Sequence, residues 1–174
     1  VRSGKALYVG LSNYDGATLK KASAILDELK VPFVINQNRY NIFDREIENN
    51  GLKKTAAKLG KGIICFSPLA QGLLTDRYLN GIPEDSRIKT DGRFLKESNL
   101  TKEKLLQIKR LNDIAAKRGQ TLAQMALAWL LKDDDVTSVI IGASKTSQIL
   151  DNLAALKNTK FSAAELTSIN KASV

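Results

Sequence analysis

A turn of small polar residues near the C-terminus has the composition of a phosphate-binding site. The segment 142–146, GASKT, joins a β-branched run at 139–141 to an apolar-periodic helix predicted at 147–156. Such a turn presents free backbone N–H groups and the positive end of a helix dipole, which together favour a phosphate. Its lysine adds a full charge, and its serine and threonine add hydroxyl donors. The alternative is an ordinary turn whose hydroxyls only cap the helix.

Three more polar segments follow predicted strands: SN at 12–13, QNR at 37–39 and SPLAQG at 67–72. In parallel sheets, the loops after the carboxyl ends of the strands meet at one edge and build the ligand site. These segments are rich in amides, hydroxyls and glycine, which form hydrogen bonds but do not readily exchange protons. We therefore expect a binding site rather than an acid-base centre.

The composition narrows the class of protein. With no histidine and a single cysteine, Cys65, the chain offers no plausible zinc site and no disulfide, and we expect reduced, cytoplasmic surroundings. The cysteine lies among apolar residues and is interpreted as buried rather than reactive. No apolar run is long enough for a membrane span.

The charge raises the question of nucleic acid. The 27 basic and 18 acidic residues give a net charge of +9. The basic residues, however, are scattered over predicted helical faces with few aromatic residues between them. Solvated helix faces are therefore favoured over a nucleic-acid surface, which would show steep salt-dependent DNA retention.

Apolar runs predict four buried strands, and helical periodicity predicts the segments between them. The strands are expected at 6–11, 33–36, 63–66 and 139–141, and the helices at about 19–29, 44–58, 101–118, 121–132 and 147–156, with a short last helix after a capping box at 162–165. The repeated order of strand, polar turn and helix is typical of an α/β protein with a parallel sheet covered by helices. Residues 1–174 are interpreted as one domain, which the family resemblance described below implies to be incomplete.

The connection after the third predicted strand is unusually long. It runs from 67 to about 99, whereas most connections of this kind have about two to six residues. A functional belt is favoured over disorder, because its first residues are apolar enough to pack. Two of its arginines, Arg77 and Arg87, could reach a pyrophosphate.

These loops resemble the second half of the aldo-keto reductase family, and the resemblance covers the whole chain. GLSNY at 10–14 resembles the family's motif after strand five, and NQNRY at 36–40 resembles the motif after strand six. FSPLAQG at 66–72 is similar to the cofactor loop after strand seven, and GASK at 142–145 to the segment after strand eight. Longer stretches resemble the branch that contains bacterial L-glyceraldehyde 3-phosphate reductases and potassium-channel β subunits. The resemblance implies a (β/α)8 TIM barrel, of which this chain supplies four βα units, a half barrel.

The resemblance also implies a cofactor, NADP(H), and assigns residues to its nicotinamide end. Ser12, Asn13 and Gln37 would hold the carboxamide, since their hydroxyl and amide groups suit its donor and acceptor. Phe66 would stack on the nicotinamide ring.

Further residues are implied for the remainder of the cofactor. The pyrophosphate would lie against the loop after the third strand and against the two belt arginines. These residues are Ser67, Pro68, Leu69, Gln71, Gly72, Arg77 and Arg87. The adenosine 2′-phosphate and adenine would be bound by Gly142, Ser144, Lys145, Gln148, Asp151 and Asn152.

One departure from the family concerns catalysis. The family's catalytic Asp, Tyr, Lys and His lie in its first half, and no tyrosine of this sequence matches that motif. The resemblance implies a parent enzyme that reduces small aldehydes or ketones, such as glyceraldehyde 3-phosphate, with NADPH. This chain alone is expected to be inactive, because the general acid is missing. The alternative function is a non-catalytic nucleotide-binding half.

The expected half barrel limits the chain's possible states. The sequence starts without Met and fits either a piece of a longer enzyme or a natural half-length product. Four parallel strands leave two open edges. We expect the chain either to self-associate through them or to need the missing N-terminal half.

Overall fold

A four-stranded parallel sheet organises the computed structural model, which describes all residues from 1 to 174. The strands are β1 (Val9–Ser12), β2 (Phe33–Arg39), β3 (Gly62–Phe66) and β4 (Ser138–Val139), and they lie side by side in chain order. The sheet does not close, so β1 and β4 are both edge strands. The predicted α/β half barrel is confirmed.

Eight helices follow or connect the strands. They are α1 (Gly16–Glu28), α2 (Glu46–Asn49), α3 (Leu52–Leu59), α4 (Arg87–Thr90), α5 (Lys102–Lys117), α6 (Leu122–Leu130), α7 (Thr146–Ala154) and α8 (Ala163–Ala172). Single 3-10 turns occur at Ala70–Gly72, Asp76–Tyr78, Glu97–Asn99 and Ala155–Lys157. None of the helices combines the length and the apolar character that a membrane crossing requires.

The two faces of the sheet differ in burial. Partners in parallel register share a face. On the helix-covered face, Asn36 pairs with Ile63 and Asn38 with Cys65, and all four side chains are buried. The opposite face, which we call the open face, carries Gly10, Ser12, Ile35, Gln37, Arg39, Gly62, Ile64 and Phe66, all partly or fully exposed. A closed barrel would fill this face, and the four strands alone do not.

Helix α6 forms the centre of the core. Every residue from Leu122 to Leu130 except the pair 123–124 is buried, and the Trp129 side chain is fully enclosed. The helix begins at the predicted capping box, in which the Thr121 side chain accepts from the Gln124 N–H and the Gln124 side chain accepts from the Thr121 N–H. The predicted core role of this helix is confirmed, and so is the capping box that opens α8 at Ser162.

Three strand predictions need correction. The second strand was expected at 33–36 but extends to Arg39, because residues 37–39 pair in register with residues 64–66 of β3, so the predicted loop QNR is part of the strand. The first strand was expected at 6–11 as a buried strand, but β1 begins at Val9, and the side chains of Leu7 and Tyr8 are 81% and 61% exposed. The reason is that its ladder has a partner on one side only and starts opposite Phe33. The last strand was expected at 139–141 but is limited to two residues, because β3 ends at Phe66 and offers it only two register positions.

The helix expected at 44–58 is divided. Gly51 has a left-handed backbone with φ 78° and separates α2 from α3. This break allows a close approach from α1, since a Cβ on Gly16 would lie 2.5 Å from the Gly51 carbonyl oxygen. The long loop expected at 67–99 is likewise not plain coil, because it contains α4 and three 3-10 turns.

Candidate functional site

The loop after β3 has an unusual backbone. Ser67, Ala70, Gln71 and Gly72 all have positive φ, at 52°, 47°, 61° and 101°. Three of them are not glycine, and each such conformation costs on the order of 1–3 kcal/mol and persists only because the surrounding contacts hold it in place. Strain of this kind is concentrated at ligand-binding loops. The loop is the segment that the sequence singled out for a pyrophosphate.

A buried asparagine holds this loop in position. Asn41 is fully buried, and its side-chain Nδ2 donates to the carbonyl oxygen of Ser67 at 3.0 Å. Its Oδ1 accepts from the backbone N–H groups of Phe43 and Asp44 at 2.9 and 3.0 Å. One side chain thereby connects the loops that follow β2 and β3.

The ends of β1 and β2 are also tied together. Asn13 has a left-handed backbone with φ 57°, which asparagine tolerates better than most residues, and its N–H donates to the Gln37 carbonyl oxygen at 2.9 Å. Ser12 and Gln37 are register partners on the open face. The three residues predicted to hold a carboxamide are therefore neighbours at the carboxyl edge of the sheet.

The belt after β3 contacts the strained loop through one of its predicted arginines. Arg87 donates from Nη1 to the side-chain oxygen of Gln71, and the Gln71 Nε2 donates to the Ser67 hydroxyl at 2.9 Å. Arg77 instead forms an ion pair with Asp85 within the belt. Arg87 thus contacts the strained loop, whereas Arg77 contacts another residue of the belt.

A cleft of about 820 Å³ opens at this edge of the sheet. Four of the predicted site residues line it: Asn13, Phe66, Ser67 and Gln71. Ser12 and Gln37 lie beside it on the open face. Pro68 and Leu69 are not part of its wall and instead pack inwards.

The predicted phosphate-binding turn lies at the exposed end of β4. All residues from 142 to 147 are exposed, and the N–H groups of Thr146 and Ser147 donate to no acceptor in the protein. The Gln148 side chain caps α7, because its Oε1 accepts from the N–H groups of Ser144 and Lys145 at 2.8 and 3.3 Å. The turn therefore offers hydroxyls, a lysine and unused backbone donors to solvent.

Of the two residues predicted beyond this turn, Asp151 is hydrogen-bonded within the protein and Asn152 is buried. Asp151 accepts from Gln124 Nε2 at 2.6 Å and from the Thr121 hydroxyl at 3.4 Å, which fastens α7 to the start of α6. Asn152 is buried with 9% exposure. Their predicted contact with adenine stays a prediction.

Sequence reasoning missed several residues that shape the site. Asn41 and the buried pair Asn36 and Asn38 gave a visible signal, since three asparagines in six residues are unexpected in a buried strand. Asn36 donates to the Asn38 side chain, and Asn38 donates to the carbonyl oxygen of Tyr14 at 3.3 Å. Arg39 was noted only as part of a motif, yet it lines the cleft.

The fold and the site define the class of protein as an α/β half barrel with a ligand site at the carboxyl ends of its strands. The chain belongs to the aldo/keto reductase family, because the profile described as "Aldo/keto reductase family" matches residues 1–174. The fold of that family is a TIM barrel, of which the open four-stranded sheet is a part. The family resemblance found in the sequence is confirmed.

Two relatives are especially similar to the chain. Both are named L-glyceraldehyde 3-phosphate reductase, one from Escherichia coli strain K12 and one from Escherichia coli O157:H7. Each is 49% identical over 174 residues, which cover 98% of this chain and 50% of the relative. The chain spans about half the length of the curated relatives it matches.

Proposed function

We propose that this chain is the cofactor-binding half of an NADPH-dependent aldo-keto reductase whose parent reduces small aldehydes or ketones, glyceraldehyde 3-phosphate among them. The single observation that carries the proposal is the strained loop from Ser67 to Gly72, held by Asn41 at the carboxyl edge of the sheet. The names of the two relatives support the substrate class. When bound, NADPH supplies the hydride that reduces a carbonyl carbon.

The residues at the edge of the sheet fit the nicotinamide end of this cofactor. Ser12 and Gln37 are adjacent on the open face, and their hydroxyl and amide can satisfy a carboxamide from one side. Phe66 is partly exposed in the cleft, so that its ring can cover one face of a nicotinamide. These groups bind and orient the cofactor and do not transfer protons.

The other end of the cofactor suits the turn before α7. Ser144 and Lys145 are exposed beside the free N–H groups of Thr146 and Ser147, which favours a dianionic 2′-phosphate over a ribose hydroxyl. Arg87 and the backbone of 67–72 are suited to the pyrophosphate between these two ends. NADP(H) is therefore proposed rather than NAD(H).

The tyrosines do not provide an acid at this site. Tyr40 is fully buried with its hydroxyl bonded to Glu48, and burial followed by that hydrogen bond raises the pKa of Tyr40. Burial also raises the pKa of Tyr78. Tyr8 precedes β1, at the opposite edge of the sheet from the cleft. Tyr14 follows β1, but it is partly buried against the hydrophobic core and does not line the cleft. Inactivity of the chain alone is proposed because it contains no histidine and no tyrosine placed to protonate a carbonyl oxygen.

The lack of a suitably placed proton donor favours a second candidate function. A chain that binds the dinucleotide without a proton donor would act as a non-catalytic nucleotide-binding half. A fluorescence titration with NADPH and a reduction assay with glyceraldehyde 3-phosphate, both on the 174-residue chain, test the proposal. Saturable binding without turnover is expected. Measurable turnover would contradict the proposed lack of catalytic residues, and absent binding by the folded chain would contradict the cofactor role.

We also propose that the open edges are covered by another polypeptide in the working protein. Helix α7 exposes Ile149, Leu150 and Leu153, and Leu156 follows on the same stripe. At the other edge, Leu7, Ile25 and Leu29 are exposed. Apolar faces at both ends of the sheet suit either a second copy of the chain or a complementary half barrel.

A further inference from the structure

Arg39 is a charged residue of the open face to which the proposed function gives no role. It is the register partner of Phe66, and its side chain is 54% exposed at the cleft. Its Nε lies 2.9 Å from the Asp44 carboxylate, but its terminal nitrogens form no hydrogen bond with the protein. A guanidinium with free terminal nitrogens can bind an oxyanion with two parallel hydrogen bonds.

A second cation approaches from helix α5. Lys104 places its Nζ 3.8 Å from the centre of the Phe43 ring and forms no ion pair. Burial lowers the pKa of Lys104, which means that its ammonium form has lost part of its solvation. An anion placed beside it would restore that lost stabilisation.

Both cations line one cavity. Its volume is about 230 Å³, and its wall also includes Asn41 and Asn99. It shares Arg39, Asp44, Gln71 and Phe94 with the larger cleft, so the two spaces adjoin. The small cavity is therefore a side pocket of the proposed cofactor cleft.

The charges decide which end of a ligand would enter this side pocket. The larger cleft is lined by the carboxylates of Asp15, Asp44 and Glu46 against the single cation Arg39. The side pocket has two cations, Arg39 and Lys104, against the single carboxylate Asp44. An anionic group of the substrate is therefore attracted more strongly to the side pocket than to the part of the cleft lined by Asp15 and Glu46.

We propose that Arg39 and Lys104 form an anion subsite that selects carbonyl substrates bearing a phosphate or carboxylate group. The inference rests on the proposed function, because it places the carbonyl end of such a substrate towards Phe66 and the proposed nicotinamide position. Arg39 and Lys104 bind the anionic end and take no part in proton transfer. Asp44 opposes the anion by occupying one side of Arg39.

Isothermal titration of the 174-residue chain tests the subsite without requiring turnover. The probes are glycerol 3-phosphate, glycerate and glycerol, which carry a phosphate, a carboxylate and no charge. Glycerol 3-phosphate or glycerate is expected to bind, and glycerol is not. The tighter of the two anions identifies the charged group that the subsite prefers, and equal binding of all three probes would overturn the proposal.

Variants assign any binding to these residues. Arg39→Gln and Lys104→Gln should each lower the affinity for the preferred anion by about tenfold. Arg39→Lys should lower this affinity by less, and Asp44→Asn should raise it. Lys109→Gln, on the exposed side of the same helix, is the matched control and should change nothing. Circular dichroism verifies that each variant folds.

Two further arms separate this inference from the proposed function. Lys145→Glu should leave binding of the anion unchanged, and a loss there would place the anion at the α7 turn and overturn the subsite. NADPH is titrated into the same variants. If the chain binds NADPH but its affinity for the anionic probe does not change in the Arg39 and Lys104 variants, the subsite is refuted and the cofactor role is not. If anion binding depends on Arg39 and Lys104 but the chain does not bind NADPH, the cofactor role is refuted and the subsite is not.

Discussion

The side-chain Nδ2 of Asn41 lies 3.0 Å from the carbonyl oxygen of Ser67, and this hydrogen bond connects the loops after β2 and β3. Ser67 begins the run of positive φ angles, so the bond holds the strained loop where it starts. Asn41 is fully buried, so its side chain shields this bond from solvent. The shape of the proposed pyrophosphate loop therefore depends on a residue of the neighbouring loop.

Replacement of Asn41 tests this dependence. Asn41→Ala should lower the free energy of unfolding by about 1–3 kcal/mol, because it removes three hydrogen bonds and leaves the Phe43 N–H without a partner. The Ser67 carbonyl keeps its bond from the Ala70 N–H, and the Asp44 N–H keeps its bond to the Asn41 carbonyl. Urea denaturation measures the change, and Asn49→Ala, at an exposed position of α2, is the control. A loss below about 0.5 kcal/mol, as is usual for surface positions, would show that the bond does not hold the loop.

Gly16 should not tolerate a side chain. In Gly16→Ala the new Cβ would lie 2.5 Å from the Gly51 carbonyl oxygen, so α1 and α3 must separate. We expect a loss of about 1–3 kcal/mol in the free energy of unfolding, as for other overpacked contacts. Gly92→Ala, where no atom lies within 4 Å, should stay close to the wild type. Equal stability of the two variants would contradict the close helix approach.

These two contacts show where sequence patterns stop being informative. The capping boxes at Thr121 and Ser162 are local, since their residues are three apart, and they were predicted from the sequence. The periodicity of 44–58 predicted one helix and gave no sign of the close contact between Gly51 and Gly16, 35 positions away. Local chemistry was readable, and long-range packing was not.

The candidate site divides in the same way. The loops were predictable because their motifs follow the strands, and Asn13, Phe66, Ser67 and Gln71 do meet at the cleft. The partner of Asp151 was not predictable, since its bond to Gln124 joins two helices that are distant in sequence. The ion pair between Arg77 and Asp85 likewise depends on how the belt folds.

Cys65 should be unreactive in the folded chain. Burial raises the pKa of its thiol to about 12. At pH 8, alkylation by iodoacetamide should therefore be slower than in urea by at least about 100-fold, since the thiolate is the nucleophile. Mass spectrometry follows the reaction, and similar rates in both conditions would contradict the burial.

The same thiol should make stability depend on pH. An unfolded cysteine has a pKa of about 8.5, so the unfolded chain loses this proton first as the pH rises. The contribution of Cys65 is complete below that pH and is lost as the pH rises towards about 12. Cys65→Ala should reduce the decline in the free energy of unfolding between pH 8.5 and 10.5.

The open edges predict association. Size-exclusion chromatography with light scattering should show the chain as a self-associated species unless a complementary half barrel is present. Leu150→Lys with Leu153→Lys should shift the chain towards monomer, because these side chains are 64% and 54% exposed on α7. The matched control is Ala17→Lys with Ala116→Lys, at exposed positions of α1 and α5, which adds the same two charges. A stable, monodisperse wild-type monomer would contradict this prediction.

The central claim is that the turn before α7 binds the 2′-phosphate of NADPH. Its most direct test is a fluorescence titration of the chain with NADPH and with NADH, comparing wild type, Lys145→Glu and the control Lys157→Glu. Lys145→Glu should lower the affinity for NADPH by about tenfold or more and the affinity for NADH by much less, because only NADPH carries the extra phosphate. Lys157→Glu, exposed beyond the other end of the helix, should affect neither. Equal losses for both nucleotides, or wild-type affinity for NADPH in Lys145→Glu, would contradict the claim.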